Sequence, residues 1–298
     1  MIESITATIP VTGQSYTDLR PTITADSIEE YREQLAEVGK LAGNDAFVNR
    51  MVQNKAGKIK VVTDDGVLYL DQATHIYEDE KGNVFNTGST WAGQFEKPFD
   101  PQLIAPKVAE KKLTTADKVI EGWNLKSEVS LSYGTTVHKA LECGIKYGEL
   151  PNNPHLATLV QDYLDMTHED EQASEVFVVD FEDKMCGTID VIVKVVPNKN
   201  NPMGCKNGTC PTNYVIIRDF KTGDIYKKIS LTPEAKKYWP DLENKMISIY
   251  QLQLSFYAHI LAKQGYKVLG LEIYAESAEA WQVVKLPVLD IRRALEAE

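Results

Sequence analysis

Ile217-Arg218-Asp219-Phe220-Lys221-Thr222-Gly223 closes an apolar run that begins at Tyr214 and reads as a buried strand. Side chains at i and i+2 share one face of a strand, so Asp219 and Lys221 point the same way at its end. A bare D-x-K also arises as a solvated surface pair, and the rest of the chain decides between the two. Gly187-Thr188-Ile189-Asp190 leads into Val191-Ile192-Val193-Lys194-Val195-Val196, which places an aspartate in an otherwise β-branched strand. An unpaired carboxylate is costly to bury there. Two neighbouring strands thus each offer a carboxylate, and hard divalent cations favour such oxygen-rich arrangements.

Upstream, Gly134-Thr135-Thr136-Val137-His138-Lys139-Ala140-Leu141-Glu142 reads as a helix start. One-turn spacing puts His138 and Glu142 on the same stripe. Downstream, Gln253-Leu254-Ser255-Phe256-Tyr257 forms a Q-x-x-x-Y pattern on a long helix.

In order, G-x-x-x-H, G-x-I-D, D-x-K-T-G and Q-x-x-x-Y resemble the RecB-like, phage-type exonuclease branch of the PD-(D/E)XK nuclease superfamily. The resemblance covers roughly Leu68 to Lys285. Each motif alone is weakly specific; the order and spacing carry the signal. The resemblance implies a metal-dependent DNA nuclease, an exonuclease acting on DNA ends in recombination, repair or phage DNA metabolism. It implies Mg²⁺ or Mn²⁺, held by Asp190, Asp219, the backbone carbonyl of Phe220 and His138. Lys221 would hold the attacking water and offset charge on the phosphate. Glu142 reads as a ligand through water, a partner that orients His138, or a solvent-facing glutamate. Gln253 and Tyr257 read as contacts to the DNA backbone, supports for Lys221, or the polar edge of an amphipathic helix. Glu175 opens the strand before Asp190 and ranks below the others as a residue reaching the site.

Two alternatives stay open: a non-catalytic nucleic-acid- or protein-binding module that keeps the nuclease fold, and an RNA or structure-specific endonuclease. DNA is the expected partner, with a recombination or replication protein as a further one.

The chain has 298 residues and a net charge of −11. That balance argues against tight non-specific DNA binding, because phosphate contact relies on Lys and Arg. A local groove needs fewer: Lys107, Lys111, Lys112, Lys118, Lys126 and Lys139 lie before or on the His138 helix. No run of about 18 apolar residues suggests a membrane span. Met1 to Gly13 carries Glu3 and no basic cluster, which argues against a secretory signal. The expected compartment is the cytoplasm, a host's if the chain is phage-encoded.

Some relatives in this superfamily hold an iron–sulfur cluster with one cysteine before the histidine motif and three near the C-terminus. Here Cys143, Cys186, Cys205 and Cys210 all lie between His138 and the end of that window, so no cluster is expected. Cys205 and Cys210 make at most half a zinc site.

The expected fold is α/β: a restriction-endonuclease-like core with a central mixed β-sheet flanked by helices. Residues 1–60 read as an N-terminal accessory segment, with a helix from Ser27 to about Leu41. Residues 61–298 read as the nuclease domain, with a helical wall over about 89–130. Its core is expected to run helix 134–147, helix 155–167, strands 175–181, 186–196 and 214–220, helix 242–264, then strands 267–275 and 281–286. Asn198 to Asn213 reads as a loop between two antiparallel strands, which would set Asp190 beside Asp219.

Overall fold

A computed structural model describes residues 50–53, 58–63, 65–71, 74–195, 213–277 and 280–296. Its ten strands form one mixed sheet. In chain order they are β1 (Arg50–Gln53), β2 (Lys58–Val62), β3 (Val67–Asp71), β4 (Ile76–Asp79), β5 (Val84–Thr87), β6 (Glu171–Asp180), β7 (Met185–Lys194), β8 (Tyr214–Lys221), β9 (Lys267–Ser277) and β10 (Ala280–Leu286). The helices are α1 (Gly88–Gly93), α2 (Pro101–Lys112), α3 (Ala116–Tyr147), α4 (Pro154–Met166), α5 (Pro233–Tyr238), α6 (Met246–Lys263) and α7 (Arg292–Leu295).

The strands follow the order β1-β2-β3-β4-β5-β7-β8-β9-β10, with β6 on the remaining edge of β7. The pairs β5–β7 and β8–β9 are parallel and the others antiparallel. Turn chemistry fixes the β4–β5 hairpin: Asp79 Oδ1 accepts from the Lys81 and Asn83 amides at 2.8 Å, and Gly82 supplies a φ of +80°.

Alternation along the central strands loads both faces. On one, Ile217 and Ile192 pack with Leu252, Leu254, Phe256 and Leu261 of α6. On the other, Val191, Val193 and Phe220 pack with Val137, Ala140 and Leu141 of α3 and Val160 and Tyr163 of α4. A third cluster joins Ile59, Leu68, Tyr77 and Phe85 to Phe177, Val179 and Cys186. The expected class, a mixed sheet flanked by helices, is therefore the observed one.

Two expectations change. Gly134 does not start a helix; it lies inside α3, whose N-cap is Thr115 and whose C-cap is Gly148 in the left-handed region. An internal glycine costs only about 1 kcal/mol, too little by itself to end a helix that is capped at both ends. The pieces expected before and after Gly134 are thus one helix of 32 residues. The boundary at residue 60 falls within β2, which pairs with both β1 and β3, so the sheet begins before it. Trp91 of α1 is a core residue packed against Phe95, Trp239 and Phe256. The helix over 27–41, Cys205, Cys210 and most of the 198–213 loop lie outside the described residues. Among the described residues no helix is long and apolar enough to cross a membrane.

Candidate metal centre

β7 is shared unequally along one edge. β5 pairs with Met185 and Cys186, β8 pairs with Val191 to Lys194, and Gly187 to Asp190 lie between the two ladders. Tyr257 of α6 fills the start of that gap. A Cβ on Gly187 or on Gly88 would lie 2.6 Å from the ring's Cε1, so only glycines admit the ring so close. Tyr257 is buried at 4% exposure, and its hydroxyl accepts from Gln253 Nε2 at 3.5 Å. Of the readings open for Tyr257, contact with a DNA backbone is disfavoured: its ring is packed against Gly187 of β7 and Gly88 at the start of α1. Gln253 is half-buried beside it.

The end of the gap gathers donors. Extending the β7–β8 register by one step sets Asp190 opposite Asp219. The ladder does not continue past this point as a backbone pair. Instead the Phe220 amide donates to Asp190 Oδ2 at 2.8 Å, and the Phe220 carbonyl lies 3.0 Å from His138 Nε2. The other ring nitrogen, Nδ1, is 3.4 Å from Asp190 Oδ2. Val137 and Leu141 anchor α3 on the sheet face opposite α6, so His138 enters the gap from the side away from Tyr257.

Glu175 completes the group through an unusual backbone. The β6–β7 register passes from Ser174↔Val191 to Val176↔Ile189, which leaves Glu175 opposite Asp190. Its φ is +54°, in the left-handed region that L-residues rarely adopt and that functional sites tend to retain. One ligand atom each from His138, Glu175 and Asp190 lie within 4.8 Å of one another. Two carboxylates, an imidazole nitrogen and an adjacent carbonyl suit a hard divalent cation, and the imidazole admits Mn²⁺ beside Mg²⁺.

Asp219 and Lys221 flank that group on the α6 face of β8. Lys221 Nζ lies 2.5 Å from Asp219 Oδ2 and 4.7 Å from the centroid of the Tyr250 ring. Sequence reasoning gave the support of Lys221 to Gln253 or Tyr257; the side chain that touches it is Tyr250, one turn earlier. Tyr250, Gln253 and Tyr257 are spaced i, i+3, i+7, so one stripe of α6 carries all three. That spacing was the available signal, and it read equally well as an apolar packing stripe.

Electrostatics ties the site together. Burial opposes the charged form of His138, but the Asp190 carboxylate outweighs it and, with Asp219, pushes the pKa up to about 9. Burial would raise Asp190, yet His138, Lys221 and the Phe220 amide hold it below the usual carboxylate range. Asp219 goes the other way: burial, helped by the Asp190 charge, raises it despite Lys221. Burial disfavours the Lys221 ammonium, but Asp219 and Asp190 overcome it and raise its pKa.

Glu142 is not the partner of His138. It is buried one turn on, and its carboxylate accepts from Lys146 at 2.6 Å. Both ring nitrogens of His138 are occupied by Asp190 and Phe220. No protein-family model matches the chain, and no curated protein matches it.

Proposed function

We propose that the chain is a divalent-metal-dependent DNA nuclease with a restriction-endonuclease-like core, of the RecB-like kind its motifs resemble. One observation carries the reading. His138, Glu175 and Asp190, from a helix and two strands, bring ligand atoms within 4.8 Å of each other, beside an Asp219–Lys221 pair on the next strand.

His138, Glu175, Asp190 and the Phe220 carbonyl would hold the cation, with Asp219 adjoining them. When bound, it supplies Lewis-acid polarisation of a phosphoryl oxygen and acidifies a water toward neutral pH. The remaining work belongs to side chains. Lys221 presents a fixed ammonium to charge that develops on a phosphate in the transition state. The Phe220 amide holds Asp190 in place. Tyr257 and Gln253, through the packing around Gly187, hold β7 where Asp190 emerges. As the motif resemblance implies, a DNA terminus is the substrate we favour, with recombination, repair or phage DNA metabolism as the setting.

The test is degradation of linear and of closed circular DNA, with Mg²⁺, with Mn²⁺ and with a chelator. Loss of the linear form alone, abolished by chelation, supports an exonuclease. Nicking of the circle points to the endonuclease alternative. No cleavage by folded protein, or cleavage that a chelator leaves intact, overturns the proposal.

A further inference from the structure

Lys221 has two partners of different character. One is the Asp219 carboxylate at 2.5 Å, the other the face of the Tyr250 ring at 4.7 Å. The side chain of Lys221 is only 17% exposed, so the ammonium has lost much of its water and depends on these partners. An ammonium against a carboxylate competes with any other cation for that oxygen. An ammonium against an aromatic face does not, because the ring quadrupole attracts it without using a carboxylate. Tyr250 is itself fixed: it lies against the main core, and α6 continues from it into the buried Leu254, Ala258 and Leu261.

Resting on the metal-centre reading, we infer that Tyr250 is a positioning residue that retains the Lys221 ammonium when Asp219 turns to a divalent cation. The ring gives the ammonium a second place to rest, still beside the carboxylates, so Asp219 is released without expelling Lys221 from the site. Without the ring, the ammonium stays on Asp219 and the arriving cation must displace it. The phenol hydroxyl has no part in this, so phenylalanine serves as well as tyrosine and an aliphatic side chain does not.

The experiment measures Mn²⁺ binding to the full chain by calorimetry, without DNA. Five proteins are compared: wild type, Tyr250→Phe, Tyr250→Leu, Lys221→Ala, and Lys221→Ala combined with Tyr250→Leu. Tyr250→Met replaces the leucine variant if that one fails to fold. A desolvated cation–ring contact predicts Mn²⁺ binding weakened roughly three- to tenfold in Tyr250→Leu, with near wild-type affinity in Tyr250→Phe. In the Lys221→Ala background the leucine substitution should change nothing, and Lys221→Ala alone should bind Mn²⁺ more tightly. Equal affinity in Tyr250→Leu and wild type overturns the inference. So does a leucine effect that persists without Lys221, since that is a packing defect. Absence of Mn²⁺ binding by the folded wild type sinks the metal-centre reading and this inference with it. The two failures are therefore distinct.

Discussion

Lys221 Nζ lies 2.5 Å from Asp219 Oδ2, and the two residues share one face at the end of β8. Asp219 is buried, and that burial raises its pKa against the pull of Lys221. Removing one member changes charge without removing apolar packing. Asp219→Asn should therefore stay folded by circular dichroism yet lose DNA cleavage by several orders of magnitude. Lys221→Ala should lose about 10²–10³ in rate, the usual effect of deleting one transition-state donor. Cleavage of end-labelled linear DNA measures both, and a wild-type rate in Asp219→Asn would falsify the mechanism.

Glu175 tests whether the left-handed backbone at φ +54° is kept for the site's sake. A left-handed L-residue costs roughly 1–2 kcal/mol, which glycine avoids. Comparing Glu175→Gly with Glu175→Ala cancels the loss of the carboxylate. The glycine variant should be more stable than the alanine variant by about 1 kcal/mol in urea unfolding. Both should bind Mn²⁺ more weakly than wild type. If alanine matched glycine in stability, the strain argument would be wrong.

Tyr257 makes a steric prediction. An added methyl at Gly187 would meet the ring at 2.6 Å, and the ring is enclosed on its other side by Gly88. Gly187→Ala should then destabilise by about 1–3 kcal/mol, the ordinary cost of overpacking a core. Combining it with Tyr257→Leu should recover part of that loss, which thermal melts of the two variants and the double variant can check. Additive losses would show that the clash lies elsewhere.

How far the sequence reveals this protein differs between the fold and the site. Strands β6 to β10, with α4 and α6, fall within a few residues of their expected positions, because apolar period and flanking turn residues mark each of them. The join across Gly134 was hidden. Residues 124–132 of α3 are exposed, Leu125, Val129 and Leu131 among them, so no core contact marks this stretch as the join between two packed ends. Asp190, Asp219 and His138 were legible because a carboxylate or imidazole amid apolar neighbours needs a reason. Glu175 was less so, since its part depends on a positive φ that glutamate does not advertise. Tyr250 was legible only as packing, because a ring over an ammonium and a ring in a core share the same helical spacing. Glu142 misled for the converse reason: i, i+4 spacing served it equally well toward Lys146 as toward His138.

The strand face opposite Asp219 supplies a prediction on pH. Arg218 Nε donates to Glu272 Oε2 at 2.7 Å and Nη1 reaches Asp170 Oδ2 at 2.8 Å, while Lys285 Nζ lies 3.1 Å from the other Glu272 oxygen. Burial would raise the pKa of Glu272, but the Arg218 hydrogen bond and charge outweigh it, with Lys285 adding, and the net shift is downward. A carboxyl whose folded pKa is depressed stabilises the fold above its unfolded value, about 4.3, and that contribution is lost as pH falls through the folded value. Glu272→Gln leaves a buried guanidinium with Asp170 as its remaining carboxylate. Breaking a buried pair in this way costs about 3 kcal/mol at neutral pH, the lower end of the usual range because Asp170 persists. The stability gap between wild type and variant should narrow as pH drops below about 4.3, where Glu272 of the unfolded chain begins to take up a proton, and go on narrowing until pH passes the lower folded value. Urea unfolding of both proteins at pH values from about 7 downward measures the gap. A gap that stays constant through the acid range would show that the Arg218–Glu272 pair contributes through shape alone.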